Sequence, residues 1–120
     1  MNDIKIWHNP RCTKSREAVK LVEELGVSAE IVKYLDQTPD VHEIKSTLKM
    51  LGLSARELMR TTEDIYKELD LKNENDEEKL ITALAQNPKL IQRPVLFKDG
   101  KAIIGRPSSI ISEWVLKSYN

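Results

Sequence analysis

Short runs of β-forming residues near both ends of the chain flank longer segments in which apolar residues recur with a helical period. Residues 4–7 predict a first strand. After a break at residues 8–10, apolar residues recur on one helical face until Gly26, a residue suited to end a helix. Residues 29–35 predict a second strand. A strand, a helix and a strand in this order indicate a right-handed parallel βαβ unit.

The middle of the chain has the helical period throughout. Thr38 followed by Pro39 is a typical helix start, and the apolar stripe that follows ends at Gly52. The segment Ser-Ala-Arg-Glu at residues 54–57 has the pattern of a capping box and predicts the start of another helix. A further helix is expected over residues 76–86.

The last part of the chain predicts a β-hairpin followed by a helix. Residues 95–98 and 101–104 flank Asp99-Gly100, a dipeptide suited to a tight type I′ turn, and the final helix is expected to begin near Pro107. We therefore predict an α/β fold with a mixed four-stranded sheet of the thioredoxin-like kind. In this arrangement a helical insertion separates a βαβ half from a ββα half.

One domain is expected for a chain of 120 residues, and no Gly-rich or Pro-rich linker divides it. We assign residues 1–120 to a single domain. Within it, residues 1–36 are expected to form the βαβ unit, residues 37–90 the helical insertion, and residues 91–118 the ββα unit.

Charge and composition exclude several classes of function. Nineteen Lys and Arg residues balance nineteen Asp and Glu residues, so the basic excess of nonspecific nucleic-acid or membrane-surface binders is missing. No apolar run approaches the ~20 residues that a membrane span needs, and we identify no secretory signal pattern. A single cysteine cannot form an internal disulfide, so we expect a cytoplasmic protein in a reducing compartment.

That cysteine, Cys12, falls in the predicted turn between the first strand and the first helix, where α/β folds bind ligands. The free N–H groups at a helix start carry partial positive charge, which favours a thiolate and also attracts an oxyanion. Arg11, Lys14 and Arg16 add positive charge nearby in the sequence. A lone cysteine is often a buried and inert residue, but the position at a helix start favours a reactive thiol.

Two neighbours of Cys12 bear on its chemistry. Ser15 stands where a dithiol motif would have its second cysteine, so any redox cycle of Cys12 requires thiols from other molecules. His8 is a candidate to lower the pKa of the thiol by hydrogen bonding or by carrying positive charge, and a structural hydrogen bond at the strand end is the alternative. Two histidines without further nearby ligands predict no metal site, and the missing glycine-rich phosphate loop predicts no bound nucleotide or flavin.

Four sequence blocks together resemble the glutaredoxin-dependent arsenate reductases, which are ArsC-like proteins with a thioredoxin-like fold and a helical insertion. The blocks are His-Asn-Pro-Arg-Cys-Thr-Lys-Ser-Arg at 8–16, Leu-Ser-Ala-Arg-Glu-Leu-Met-Arg at 53–60, Ile-Gln-Arg-Pro-Val at 91–95 and Gly-Arg-Pro-Ser at 105–108. They occur in the family's order with family-like spacing, and the resemblance spans nearly the whole chain. Some members have a small residue and a glycine around the cysteine, where this chain has Arg11 and Thr13-Lys14.

The resemblance implies reduction of arsenate to arsenite through a covalent adduct between arsenate and Cys12. It also implies glutathione as co-substrate, glutaredoxin as partner, and no bound cofactor. The residues it assigns are Cys12 as nucleophile, Arg60, Arg93 and Arg106 as oxyanion ligands, and Pro94 as a cis-proline, with His8 kept as a catalytic candidate. The guanidinium fork suits a tetrahedral, multiply charged anion because it offers paired hydrogen bonds.

Two alternatives share this fold. One is a monothiol oxidoreductase that acts on another substrate, which would need the cysteine but not three arginines. The other is a regulator that binds RNA polymerase and typically uses a two-cysteine switch, whose second thiol Ser15 replaces here. The resemblance favours the arsenate reductase over both.

Overall fold

The computed structural model describes residues 3–117, which form two compact units. The first, here called the sheet unit, contains residues 3–34 and 93–117, and the second, the helical unit, contains Leu35–Gln92. The strands are β1 (Ile4–Trp7), β2 (Ala29–Val32), β3 (Val95–Lys98) and β4 (Lys101–Ile104). The α-helices are α1 (Thr13–Glu24), α2 (Val41–Leu51), α3 (Ala55–Leu58), α4 (Asp64–Glu68), α5 (Glu77–Gln86) and α6 (Ser109–Lys117).

The sheet unit contains the mixed four-stranded sheet that the sequence predicts. Its strand order is β2-β1-β3-β4, with β1 parallel to β2 and antiparallel to β3, and β3 antiparallel to β4. Side chains from β1, β3, α1 and α6 form the hydrophobic core of this unit, namely Ile4, Ile6, Ala18, Val22, Leu96, Ile111 and Val115. Helices α1 and α6 therefore pack against the same face of the sheet.

Strand β2 is shorter than the expected residues 29–35. It ends at Val32 because β1 has only four residues, and the parallel ladder pairs Ile4 with Ala29 through Trp7 with Val32. The hairpin has the predicted residues, and Asp99 and Gly100 have φ angles of 50° and 76°. Positive φ at both central positions confirms the type I′ turn.

Gly105 follows β4 and lies against the core of the sheet unit. A Cβ atom at this position would come within 2.9 Å of a side-chain carbon of Leu96 and 3.1 Å of one of Ile111. The Gly105 amide also donates to the carbonyl of Pro94 at 2.8 Å. The glycine therefore allows the chain to leave β4 close to the start of β3, and the next residue is Arg106.

The helical unit shows one start that differs from the prediction. Helix α2 begins at Val41 rather than at Pro39, because the Asp40 side chain caps it by accepting from the Glu43 amide at 2.8 Å. The helix ends at Gly52 with a φ of 71°, as predicted. The capping box at the start of α3 is also confirmed, with both reciprocal hydrogen bonds present.

Three short elements of the helical unit were not predicted. These are α4 and the 3-10 helices Leu71–Asn73 and Pro88–Leu90. Arg56 in α3 holds this region together, because its guanidinium donates to the Tyr66 hydroxyl and to the carbonyls of Leu71 and Glu74. Such contacts between residues 10 to 18 positions apart are invisible to a local pattern.

Candidate active site

The loop of residues 8–12, here called the thiol loop, connects β1 to α1 and is held by its own hydrogen bonds. The Asn9 carbonyl accepts from the Cys12 amide, and the Asn9 side-chain oxygen accepts from the Arg11 amide, both at 3.0 Å. The His8 amide donates to the carbonyl of Val32 in β2 at 2.8 Å. These bonds place Cys12 at the N-cap position of α1, as the sequence predicts.

The Cys12 thiol is partly exposed and meets the N-terminal end of α1. Burial raises its pKa, but the Ser15 amide, the Arg93 guanidinium and the Lys14 amide together outweigh burial and hold the pKa below the ordinary thiol value. The sulfur does not complete a full capping hydrogen bond, so the amides act mainly as oriented dipoles facing it. The setting therefore favours the thiolate form more than the setting of an ordinary cysteine does.

Arg106 and Arg93 reach the thiol from two other places in the sheet unit. The Arg106 Nη2 atom lies 3.4 Å from the Cys12 Sγ atom, and the Arg106 Nε atom donates to the Arg93 carbonyl at 2.7 Å. Arg93 directly precedes β3, and its guanidinium helps to lower the pKa of Cys12. The structure therefore brings both arginines to the sulfur across 81 and 94 positions of sequence.

The peptide bond between Arg93 and Pro94 is cis, as the family resemblance implies. The bond between Arg106 and Pro107 is also cis, which the sequence reasoning did not anticipate. Both cis bonds therefore directly follow an arginine that reaches the thiol.

Arg60 lies in the helical unit, two residues after α3. Its amide donates to the Leu90 carbonyl at 2.7 Å, beside the isolated bridge between Met59 and Ile91. Its Nη1 atom is 3.7 Å from a carboxylate oxygen of Glu63, and 21% of the side chain is exposed. The participation of Arg60 in an anion site with Cys12 remains a prediction from the resemblance.

His8 is buried and has a partner other than the thiol. Its Nδ1 atom lies 2.7 Å from the hydroxyl oxygen of Ser15. Burial lowers the pKa of the imidazole, and the positive charges of Lys33 and Arg16 lower it further. The ring is therefore neutral near pH 7 and does not supply the positive charge that the sequence reasoning considered, whereas the alternative, a structural hydrogen bond, is observed.

The other basic residues near Cys12 differ in what they contact. Lys14 is exposed and pairs with Glu17 at 3.8 Å, on the surface of α1. Arg16 donates to the carbonyl of Pro10 at 2.9 Å and so braces the thiol loop from the first turn of the helix. Sequence reasoning missed this bracing role, because no local pattern connects Arg16 with a carbonyl six positions earlier in the loop.

No cluster of three or more His, Cys, Asp or Glu side chains suited to a metal ion occurs among residues 3–117. Within the same residues, no helix is both long enough and apolar enough to cross a membrane.

Comparisons with known proteins give one consistent result. The model of the ArsC family matches residues 7–114. The chain is similar to a protein named arsenate reductase from Neisseria meningitidis serogroup A, with 53% identity over 109 residues, covering 89% of this chain and 93% of that protein. It is also similar to an arsenate reductase from Haemophilus influenzae, with 39% identity over 110 residues, covering 90% of this chain and 95% of that protein. A solved structure of an arsenate reductase from Vibrio cholerae superimposes with a TM-score of 0.89 at 40% identity, covering 93% of this chain and 97% of the other.

Proposed function

Because this chain belongs to the ArsC family, we propose that it is an oxidoreductase that reduces arsenate to arsenite, with Cys12 as its nucleophile. The observation that carries the proposal is the position of the Cys12 sulfur at the start of α1, with the Arg106 Nη2 atom 3.4 Å away. A thiolate for attack and cationic donors for an oxyanion thus stand side by side.

Arsenate binding is assigned to Arg93 and Arg106 together with the amides at the start of α1, and Arg60 is the third proposed ligand. Each guanidinium offers a planar fork of donors that matches two oxygens of a tetrahedral anion. The amide groups add partial positive charge without a side chain of their own. Pro94 sets the path of the chain between Arg93 and β3, and His8 is proposed to act only indirectly because it contacts Ser15.

The first chemical step replaces an arsenate oxygen by sulfur. The Cys12 thiolate attacks the As(V) centre, an S–As bond forms, an As–O bond breaks, and the oxygen leaves as water after protonation. Arsenic stays in the +5 state in this step. Guanidinium groups next to the reacting oxygens stabilise the charge that builds up on them in the transition state.

The second step transfers two electrons to arsenic. A glutathione thiolate attacks the Cys12 sulfur, an S–S bond forms, and the S–As bond breaks with its electron pair on arsenic, which leaves as arsenite. Glutaredoxin then removes glutathione from Cys12 by thiol–disulfide exchange, since Ser15 provides no second thiol in this motif. Glutathione is a co-substrate here, and no bound cofactor is proposed. The proposed location is the cytoplasm, where glutathione and glutaredoxin keep thiols reduced.

The test is arsenate-dependent oxidation of NADPH, coupled through glutathione reductase, glutathione and glutaredoxin. We expect oxidation that needs arsenate and stops when glutaredoxin is left out. A parallel assay with thioredoxin and thioredoxin reductase separates the two possible thiol donors. Turnover in the thioredoxin assay alone would contradict the glutaredoxin step, and no arsenate turnover in either assay would contradict the reaction.

A further inference from the structure

Ser15 is a fully buried hydroxyl in the first turn of α1. Its Oγ atom lies 2.7 Å from the Nδ1 atom of His8 and accepts a hydrogen bond from the Asn9 amide at 2.9 Å. In the part of the chain that the structure describes, these are the hydroxyl's two partners. Ser15 thus joins the helix to two consecutive residues at the entrance of the thiol loop.

The direction of the bond between Ser15 and His8 follows from the number of protons. A serine hydroxyl has one proton to donate, and the Asn9 amide already uses its oxygen as an acceptor. If Nδ1 of His8 carried a proton, Ser15 would accept twice and its own buried O–H would have no acceptor among the described residues. The Ser15 hydroxyl therefore donates to Nδ1, and the proton of the neutral His8 ring is on Nε2.

We propose that Ser15 is a positioning residue for the thiol: by donating to His8 and accepting from Asn9, it fastens the thiol loop to the first turn of α1. Asn9 in turn fixes the position of Cys12, because the Asn9 carbonyl accepts from the Cys12 amide. The helix-start amides of Lys14 and Ser15 then face the Cys12 sulfur in a fixed direction. The inference rests on the proposed function only for the role of Cys12 as the nucleophile.

The first test replaces Ser15 by alanine and measures the rate of Cys12 alkylation by iodoacetamide against pH. The matched control is Thr47→Ala, which removes a buried hydroxyl from α2 in the helical unit. We expect the midpoint of alkylation to move to higher pH in Ser15→Ala and to stay in place in Thr47→Ala. At a pH well below the midpoint, each pH unit by which the midpoint rises lowers the alkylation rate about tenfold. An unchanged midpoint in Ser15→Ala, or the same rise in both variants, overturns the proposal.

The second test uses the wild-type protein and so does not depend on the folding of a variant. Nitrogen chemical shifts of the His8 ring at pH 7 distinguish its tautomers. We expect a neutral ring with the proton on Nε2, whereas a proton on Nδ1 overturns the proposal. Neither readout involves arsenate. If the wild-type protein does not turn over arsenate, the proposed function is contradicted. The role of Ser15 is still decided by the alkylation and chemical-shift measurements.

Discussion

Replacing Arg106 by alanine is expected to slow arsenate reduction strongly while leaving the fold intact. The Arg106 guanidinium is exposed, its Nη2 atom is 3.4 Å from the Cys12 sulfur, and its Nε atom donates to the Arg93 carbonyl at 2.7 Å. The variant therefore removes a cation from the proposed arsenate site beside the thiol. It removes no hydrophobic core residue.

The magnitude follows from what a charge-stabilising donor contributes in an oxyanion site. Loss of one such donor costs about 2–4 kcal/mol of transition-state stabilisation, which corresponds to a fall in kcat/KM of about 30-fold to 1,000-fold. Arg106→Lys keeps the charge but lacks the planar fork, so we expect only partial recovery. Arg93→Ala should lower kcat/KM by a factor of the same order as Arg106→Ala.

The assay is the kcat/KM for arsenate in the coupled NADPH reaction, with folding checked by thermal unfolding. Lys101→Ala is the control, because Lys101 is an exposed cation in β4 of the same unit and has no contact with the thiol. Wild-type kcat/KM in a folded Arg106→Ala variant, or full recovery in Arg106→Lys, would refute the reasoning.

Five further predictions concern other residues and the pH dependence of the activity. Arg56→Ala should lower the free energy of unfolding by about 2–4 kcal/mol in urea titrations, because a tyrosine hydroxyl and two carbonyls lose a charged donor. Gly105→Ala should cost about 1–3 kcal/mol in the same titrations, since a Cβ atom would meet core side chains at 2.9–3.1 Å. Glu63→Gln should lower the KM for arsenate by up to about fivefold, because the carboxylate 3.7 Å from Arg60 competes with the anion for that cation. Cys12→Ser should abolish turnover. Because the pKa of Cys12 lies below the ordinary thiol value, wild-type activity should persist at pH values below the usual thiol range and fall only as the pH drops through that lowered pKa.

Much of the secondary structure of both units could be predicted from the sequence because its signals are local. The hairpin around Asp99-Gly100 and the capping box at Ser54 depend on residues within four positions, and both are present. The end of β2 at Val32 depends on the length of its partner strand, which its own residues do not encode. Helix α2 begins at Val41 rather than at Pro39 because Thr38 and Asp40 are both suitable caps, and the Asp40 side chain accepts from the Glu43 amide.

The candidate site was predictable in a different way. Physical reasoning on the sequence indicated the helix-start position of Cys12, but Arg93 and Arg106 were identified only through the resemblance. No local pattern connects Arg106 with a sulfur 94 positions away. The partner of His8 was also not predictable from the sequence. His8 could bond either to the thiol or to a structural partner, and only the conformation of the thiol loop brings its Nδ1 atom to Ser15.

The most direct test of the central claim is a single turnover without glutaredoxin. Purified reduced protein is mixed with arsenate and glutathione, and arsenite release and the mass of the Cys12 peptide are measured in the same sample. The account predicts one arsenite per protein and one glutathione in disulfide linkage on Cys12, because the cycle stops before thiol exchange. Arsenite release with Cys12 left unmodified would contradict it.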